Sequence, residues 1–457
     1  MIDVSIVMPV YKKEKYLTES IESILHQTFL DFELICINDG SPDGCLRILE
    51  KFERLDKRIK ILCNEQNQGA AYSRNVGIKN AVGEYIIILD ADDIYNENLL
   101  LRAYDRCKKE DLDIVLFDYK QYNEKTGDEI SYTMPLPMKR KCTGVFSNFD
   151  IEGFSFQLCP TGPWTKMYKR DFLIKNSLHF QSLPNSNDVF FSKMVFMKGK
   201  RIGYLEESLV KYRVNADFQI SSDKRRAAVN FMKAMMEIKK VMHKENLYER
   251  NAKSFNTYAF NVALMHFFGA GIENRKEMYG EIRNGFEILF GENGNHAVFM
   301  NRHYFYWMQD FLNLSVEQHE QYAVNNEYKY IFRFEENKMV NLKKYIDKKN
   351  CKVVLWGYGK KGKFLAGEWK KTSLRLDCIV DINFIQFADA GVISPDEIKG
   401  DECIILVPTA AFVEDILKFC NNAKYKANVL DLQSYFTYGF ELEECIFWDA
   451  VQMNGIC

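Results

Sequence analysis

The stretch that decides the fold of this chain is Tyr85-Ile-Ile-Ile-Leu-Asp90-Ala-Asp92-Asp93. Its first five residues form a continuous apolar run, which is typical of a buried strand. Three carboxylates follow within four positions, and open α/β sheets bind their ligands at the carboxyl ends of the strands. Mg²⁺ is commonly bound by one or two carboxylates together with substrate phosphates. Asp90-Ala91-Asp92 is therefore predicted to hold a metal ion and a diphosphate.

Strands alternate with helices around this stretch, which predicts a mainly parallel, doubly wound α/β sheet. Strands are predicted over 4–8, 33–37, 59–62, 85–89 and 112–117, and helices over 14–27, 43–55, 70–81 and 96–109. From 224 to 349 apolar residues recur at three- and four-residue spacing, which indicates helices. Val353–Trp356 then opens a second α/β unit. We predict three domains, over 1–223, 224–349 and 350–457.

Composition excludes several classes of protein. Lys+Arg 61 against Asp+Glu 63 gives a net charge of −2 in 457 residues, so nothing attracts nucleic acid. The 12 cysteines form no C-x-x-C pair, which is typical of the reduced thiols of a cytosolic protein. We find no signal peptide and no apolar window of ~18 residues that could span a membrane. A cytoplasmic location is expected.

Polar segments close the first two predicted strands. Pro9-Val10-Tyr11 ends the first strand and Asn38-Asp39-Gly40 follows the second, so both are expected at the same sheet edge as Asp90. Asp39 could accept a hydrogen bond from a base imide. The alternative is a plain turn with a helix N-cap, because Asn, Asp, Gly, Ser and Pro all favour turns.

A basic residue lies just before the acidic strand. The segment 67–77, which contains Gly69 and Arg74, begins a helix that leads directly into that strand. Arg74 is suited to contact a phosphate or a base near carboxylates that would otherwise repel a nucleotide. The alternative is an ion pair between Arg74 and Asp90 or Asp92.

Two further segments carry candidate chemistry. Trp164-Thr-Lys166 combines an aromatic platform with a basic group and could hold a sugar ring or a diphosphate, although solvated charge beside a buried Trp is the alternative. Asp188 precedes Phe190 and Phe191, and a partly desolvated carboxylate has a raised pKa that suits a general base. Its alternative role is a helix N-cap.

In this order and spacing, the segments resemble the family 2 glycosyltransferases, which have the GT-A fold, over about residues 1–222. The matching segments are Pro9-Val10-Tyr11, Asp39-Gly40-Ser41, 67–77, Gly83-Glu84-Tyr85, Asp90-Ala91-Asp92-Asp93, Trp164-Thr-Lys166 and Asp188. The resemblance implies that Asp39 contacts the base, that Asp92 binds Mg²⁺ or Mn²⁺, and that Asp188 is the catalytic base. The nucleotide-sugar site would also include Pro9, Val10, Tyr11, Gly69, Arg74, Asp90, Ala91, Trp164 and Lys166.

The resemblance also implies an activity. We expect metal-dependent, inverting transfer of a sugar from a nucleotide-diphosphate donor, UDP-linked, to a surface polysaccharide or glycolipid. A lipid-linked acceptor would bring a cytoplasmic, bacterial enzyme to the inner face of the membrane. Peripheral membrane association and homo-oligomerisation through the middle or C-terminal region are left open.

Three positions depart from the family pattern. Lys12 and Asn38 stand where the family often has Asn and an acid, so contacts to the ribose and base are expected to differ. Asn187 replaces a common acidic residue before the base, and this change should affect acceptor hydrogen bonding more than the chemistry.

The C-terminal unit carries a second motif. Gly357, Gly359 and Gly362 form a G-x-G-x-x-G turn after a strand, and Asp381 ends the next strand 19 residues after Gly362. This arrangement is typical of dinucleotide binding, with the acid on a ribose. It resembles the small Rossmann-like modules appended to sugar-transferring enzymes, for which a bound nucleotide and a scaffold role are both open. An NAD-dependent oxidoreductase is the alternative function, although no Tyr-x-x-x-Lys pair accompanies the motif. A catalytically inactive sugar-binding scaffold is a further alternative.

Overall fold

The structure is a computed structural model of the chain, and it consists of two compact units. One contains Met1–Thr133 and Lys141–Val316, and the other contains Met134–Arg140 and Glu317–Cys457. The structure describes residues 2–134, 136–151, 153–215, 226–291, 299, 308–309, 311–318, 336–398, 402–408, 413–422, 426–432, 435–436, 442 and 445–447.

The first unit is an α/β domain followed by a group of helices. Its strands are β1 (Val4–Val10), β2 (Phe32–Asn38), β3 (Ile59–Cys63), β4 (Tyr85–Ile88), β5 (Ile94–Tyr95), β6 (Ile114–Asn123), β7 (Glu129–Tyr132), β8 (Lys166–Lys169) and β9 (Ile202–Val214). The helices of this unit are α1 (Glu14–Leu25), α2 (Cys45–Leu55), α3 (Ala70–Asn80), α4 (Leu99–Glu110), α6 (Ser155–Leu158), α7 (Arg170–Lys175) and α8 (Asn187–Lys198). Helix α5 (Leu136–Lys141) belongs to the second unit except for its last residue. The predicted α/β fold is confirmed.

The first sheet brings the strand ends together. Its order is β3-β2-β1-β4-β8-β6-β9-β5, with β7 paired to β6. Strands β1, β2, β3 and β4 are parallel, so Val10, Asn38 and Ile88 end at one edge, as the sequence predicts. Strands β1, β2 and β4 are almost wholly buried, which explains their continuous apolar character. Strand β8 lies antiparallel between β4 and β6.

Strand β6 is longer than predicted. The apolar run ends at Phe117, but the strand continues to Asn123. The pairing with β9 shifts its register around Asp118, and beyond this irregularity β6 pairs with both β9 and β7. Residues 118–123 are mostly half-buried polar and tyrosine residues, so the periodicity of apolar residues does not reveal this part of the strand.

Helices follow the first sheet. They are α9 (Ala227–Lys244), α10 (Tyr248–Phe268) and α11 (Ile272–Phe290). Helix α9 contacts α8, α10 and α11. Met232, Met235, Ile238 and Met242 of α9 are buried, so the methionine stripe packs in a core. These helices belong to the first unit, whereas α12 (Glu336–Lys349) belongs to the second. The predicted boundaries at 223/224 and 349/350 remain predictions.

The second unit contains its own sheet. Its strands are β10 (Lys352–Trp356), β11 (Cys378–Val380), β12 (Val392–Ile393), β13 (Glu402–Val407), β14 (Lys426–Asp431) and β15 (Ile446–Phe447), with helices α13 (Lys360–Trp369) and α14 (Val413–Asn422). The order is β12-β11-β10-β13-β14-β15, and all pairs are parallel except β14 with β15. The first five strands therefore have the doubly wound order of dinucleotide-binding folds.

No helix in the described part of the chain is both long and apolar enough to cross a membrane.

Candidate active site

The carboxyl edge of the first sheet borders a cavity of about 1060 Å³. Ligand pockets usually measure about 300–1,000 Å³, so this one is large enough for more than one bound group. All but one of the residues predicted for the N-terminal site line it: Pro9, Val10, Tyr11, Asp39, Gly69, Arg74, Asp90, Ala91, Asp92, Trp164 and Asp188. The exception is Lys166. The sequence thus predicts which segments meet in the first unit.

Basic side chains hold two of the three carboxylates of the acidic strand end. Arg74 Nη2 lies 2.7 Å from Asp90 Oδ1, and Lys13 Nζ lies 2.5 Å from Asp92 Oδ2. The ion pair of Arg74 is the alternative that the sequence left open. Lys13 was not predicted, although it follows the end of β1 and therefore lies at the same sheet edge. The carboxylates are thus neutralised by the protein itself.

The third carboxylate, Asp93, serves the loop that carries the other two. It is buried, and its Oδ1 accepts a hydrogen bond from the Arg213 backbone N–H at 2.8 Å. Burial, followed by the charges of Asp92 and Asp90, raises the pKa of Asp93 well above its usual range. Arg213 also donates from Nε to the Asp92 carbonyl at 2.8 Å, and it forms ion pairs with Glu19 and Glu124. Arg213 therefore fixes the backbone of the acidic loop.

The acidic edge of the sheet provides only part of a metal-binding site. Among the described residues, no three His, Cys, Asp or Glu side chains are grouped to hold a metal ion. Asp92 lines the cavity and is held by the flexible side chain of Lys13. Since Mg²⁺ can be bound by one carboxylate plus substrate phosphates, Asp92 fits a cation that arrives with a diphosphate. It does not form a complete site alone.

Asp39 holds a neighbouring loop. Its Oδ1 accepts hydrogen bonds from Asn64 Nδ2 at 2.6 Å and Gln68 N at 3.0 Å, and its Oδ2 accepts one from Gly69 N at 2.8 Å. A carboxylate has about four acceptor positions, so one is left for a base imide. Gly40 has a φ of +62°, and a Cβ there would lie 2.8 Å from the Gln66 backbone. Asp39 can therefore hold this turn and still accept the predicted hydrogen bond from a base.

Asp188 lies in the first turn of α8, and this helix begins at Asn187 after Ser186. Asp188 is thus not at the N-cap position. Among the described residues, its carboxylate contacts no side chain by a hydrogen bond or ion pair. Burial raises the pKa of Asp188, and the charge of Arg74 partly opposes this effect. Arg74 Nη1 also donates to Asn187 Oδ1 at 3.1 Å, which links the acidic strand end to the helix of Asp188.

Trp164 and Lys166 differ from the prediction. The Trp164 ring stacks on Tyr212 at 4.7 Å and meets the Tyr119 ring edge-on at 4.8 Å. It is 8% exposed, so its faces are largely covered by protein. Lys166 is buried, and its Nζ donates to the carbonyls of Pro160 and Gly162 at 2.7 and 2.8 Å. The prediction that Lys166 contacts the nucleotide sugar is therefore corrected: its ammonium binds the loop behind Trp164.

The opposite wall of the cavity comes from helices that sequence reasoning did not connect with the site. Its lining residues are Ala227 and Phe231 of α9 and Tyr258, Val262, Met265 and His266 of α10. These residues are separated from the acidic strand by more than 130 positions. No sequence motif identifies them as site residues, because each fits the ordinary spacing of apolar residues in a helix.

The glycine-rich turn of the second unit differs from the predicted nucleotide site. Asp381 Oδ2 accepts a hydrogen bond from Tyr358 N at 2.7 Å, and its Oδ1 accepts one from Asn383 N at 2.8 Å. Asp381 is buried, so its carboxylate serves the backbone of the turn. A Cβ at Gly362 would lie 1.9 Å from the Gly357 carbonyl oxygen, which explains why this position is glycine. Nucleotide binding by Gly357, Gly359, Gly362 and Asp381 remains a prediction.

The N-terminal part of the chain is similar to known proteins of one family. The family model described as glycosyl transferase family 2 matches residues 5–179. Glycosyltransferase GlyG of Streptococcus pneumoniae is 30% identical over 217 residues, which are 46% of this chain and 70% of GlyG. The protein is therefore a glycosyl-transferring enzyme. It belongs to glycosyl transferase family 2.

A second relative and a solved structure extend the comparison. Poly(ribitol-phosphate) beta-glucosyltransferase of Bacillus spizizenii is 29% identical over 239 residues, which are 51% of this chain and 36% of that protein. The crystal structure of S. aureus TarS 1-349 in complex with UDP has 20% sequence identity and a TM-score of 0.54, covering 73% of this chain and 94% of that chain. At this identity the likeness concerns the fold alone.

Proposed function

We propose that this glycosyltransferase moves a sugar from a UDP-linked donor to a hydroxyl of a polysaccharide, teichoic-acid-like or glycolipid acceptor, with inversion at the anomeric carbon. One observation carries the proposal: Asp188, a carboxylate without a side-chain partner among the described residues, lines the same cavity as Asp90 and Asp92. The names of its relatives support this acceptor class, and a TarS structure in complex with UDP supports the donor base.

The nucleotide end of the cavity would be built by three strand ends. Asp39 would accept from the base, the N–H-rich start of α3 near Gly69 would face the phosphates, and Arg74 would balance negative charge beside Asp90. A divalent cation on Asp92 would stabilise the charge that develops on the leaving diphosphate. Lys13 would move from Asp92 toward the phosphates when this carboxylate gains a second partner.

The acceptor end would be organised around Asp188. A sugar hydroxyl is a weak nucleophile, so the carboxylate of Asp188 would take its proton as the oxygen attacks the anomeric carbon. A raised pKa makes this carboxylate a stronger base than an exposed one. Attack from the face opposite the leaving diphosphate inverts the anomeric configuration. The wall formed by α9 and α10 would contact the acceptor.

The test is calorimetric titration of the full chain with UDP, GDP and NAD⁺, with and without Mn²⁺. We expect Mn²⁺-dependent binding of UDP that Asp92→Asn weakens about 100-fold, roughly the loss of one charged ligand. The matched control is Asp381→Asn, which changes the acid at the corresponding strand end of the second unit. NAD⁺ binding that ignores the metal and is lost in Asp381→Asn would contradict the proposal.

A further inference from the structure

The helical wall of the cavity contains a polar side chain, that of Tyr258, to which the catalytic proposal gives no role. Tyr258 lies in α10, outside the residues that match the family model, and lines the cavity together with Asp188. Among the described residues, its hydroxyl forms no hydrogen bond. An O–H group without a protein partner at the wall of a cavity is available to a ligand.

Tyr258 remains a hydrogen-bond donor throughout the usual pH range. Burial raises the pKa of its phenol above the ordinary value, and the negative charge of Asp188 raises it further. Asp188 and Tyr258 line the same cavity, and Lys193, from the helix that carries Asp188, contacts the Tyr258 ring. A hydroxyl donor beside an unpaired carboxylate can bind two adjacent hydroxyl groups of one sugar ring, because the carboxylate only accepts hydrogen bonds.

The ring of Tyr258 is held on three sides. Lys193 Nζ lies 4.0 Å from its centroid, and the rings of Phe156 and Phe231 are each 5.9 Å away. Cation–π contacts of this kind are strongest where the cation is desolvated. A ring fixed in this way presents its hydroxyl in one direction.

Lys193 is itself unusual. It is 1% exposed, and its Nζ donates to the carbonyls of Phe156 and Cys159 at 2.7 and 2.5 Å. Burial lowers the pKa of Lys193 to about 8. Ser192 Oγ, next to it, donates to the Thr161 carbonyl at 2.5 Å. The helix that carries Asp188 is thereby tied to the segment 156–161 and to the Tyr258 ring.

We propose that Tyr258 binds the acceptor, donating its hydroxyl to an oxygen of the acceptor sugar beside Asp188, and that Lys193 is the positioning residue that fixes the Tyr258 ring. The inference rests on the proposed function and adds to it a specificity residue outside the family-matched segment. The ligand class is a pyranoside with a free hydroxyl next to the one that reacts.

The experiment compares Tyr258→Phe with Tyr248→Phe. Both residues lie in α10, but the Tyr248 hydroxyl donates to Asn256 Oδ1 at 3.2 Å and Tyr248 is not among the residues that line the cavity. Three quantities are measured on the full chain: UDP affinity with Mn²⁺, hydrolysis of UDP-glucose and UDP-N-acetylglucosamine, and transfer from these donors to p-nitrophenyl glycosides of glucose, galactose and N-acetylglucosamine.

Tyr258→Phe should lower kcat/KM for transfer about five- to tenfold, the effect of one hydrogen bond. UDP affinity and donor hydrolysis should stay within about twofold, since water needs no contact with Tyr258. Tyr248→Phe should change none of the three. Lys193→Met should reduce transfer at least as strongly as Tyr258→Phe, with Lys198→Met of the same helix as its control. If Lys193→Met fails to fold, Tyr258→Phe alone decides the assignment.

The outcomes are distinguishable. Equal transfer by the two Tyr→Phe variants would overturn the role of Tyr258, and a parallel loss of UDP affinity would assign it a merely structural role. Donor hydrolysis without transfer to any glycoside by the unaltered chain would overturn the ligand class. If the chain neither binds UDP nor hydrolyses the donors, the proposed function fails, and this inference fails with it.

Discussion

In both sheets of this protein, parallel strands end in acidic residues at their carboxyl edge, yet the two edges are chemically different. In the first unit, Asp90 and Asp92 line a large cavity and are paired with the side chains of Arg74 and Lys13. In the second unit, Asp381 is held by two backbone N–H groups of its own turn. A smaller cavity in the second unit borders Lys352, at the opposite end of β10 from the glycine-rich turn.

The difference shows what makes a strand-end acid available to a ligand. A side-chain cation can move away when a metal ion or a phosphate replaces it, so the pairs of the first unit can be exchanged. Backbone N–H groups cannot move without changing the turn, and a buried donor left without a partner costs about 1–3 kcal/mol. A ligand that bound Asp381 would therefore need to supply new hydrogen-bond partners for the two backbone N–H groups of the turn. Asp381 is therefore less available to a ligand than Asp90 or Asp92.

The largest expected effect is on the rate of transfer, and only a change in the first unit should produce it. Asp188→Asn should lower kcat for transfer about 1,000-fold, because a general base contributes roughly 10²–10⁴ to the rate. UDP affinity should stay within about twofold, since Asp188 would contact the acceptor. Asp381→Asn, the corresponding change in the second unit, should leave kcat unaltered. Normal turnover in Asp188→Asn would refute the assignment of the base.

A second prediction concerns the glycine-rich turn. Gly362→Ala places a Cβ 1.9 Å from the Gly357 carbonyl oxygen and should destabilise the second unit by about 1–3 kcal/mol, as overpacking does. Thermal unfolding should show this loss, while Mn²⁺-dependent UDP binding stays unchanged. Gly359→Ala is the matched control, because no atom lies within 4 Å of its Cβ position. Loss of UDP binding in Gly362→Ala alone would make the first site dependent on the second unit.

A third prediction tests whether a metal ion can replace Lys13 as the partner of Asp92. Lys13→Met removes the cation that competes for Asp92, so the Kd for Mn²⁺ alone should fall about fivefold, the value of a pair worth ~1 kcal/mol. UDP affinity without metal should decrease, because a positive charge near the phosphates is lost. Electron paramagnetic resonance of Mn²⁺ and calorimetry measure the two effects. Lys15→Met serves as the control, because Lys15 is an exposed lysine in the first turn of α1, two positions after Lys13.

The smallest expected effect is on stability and depends on pH. Because the folded-state pKa of Asp188 is raised, its ionised form is less favourable in the folded protein than in the unfolded chain. The stability that this group contributes at low pH is therefore lost as pH rises through the folded-state pKa.

Asp188→Asn should accordingly raise Tm at pH 7.5 by about 2 °C, the shift that ~1 kcal/mol produces in a domain of this size. The gain should shrink as the pH falls toward the ordinary Asp pKa of about 3.9. Thermal unfolding at several pH values measures this. Asp171→Asn is the control, because the Asp171 carboxylate is exposed and its removal should give no such dependence of Tm on pH. A lower Tm for Asp188→Asn than for the unaltered chain would contradict the predicted direction of the change.

Sequence reasoning predicted the framework of the first unit because that framework is local. The apolar run 85–89 is buried as β4, the alternation of strands and helices is confirmed, and Asp39, Asp90 and Asp92 lie at one edge because parallel strands end together. The spacing of apolar residues after 224 likewise predicts helices, and α9 is one of them. Each of these inferences depends on neighbours along the chain or on a rule of sheet topology.

Only the tertiary structure decided which partners these residues have. Examples are the pairing of Lys13 with Asp92, the contacts of Lys166 with backbone carbonyls, the backbone contacts of Asp381, and the position of Tyr258 in the cavity that Asp188 also lines. A carboxylate or an ammonium group has the same appearance in a sequence whether it is buried against carbonyls or faces a cavity. Its solvation and its partners determine its chemistry, and both are set by packing over the whole unit.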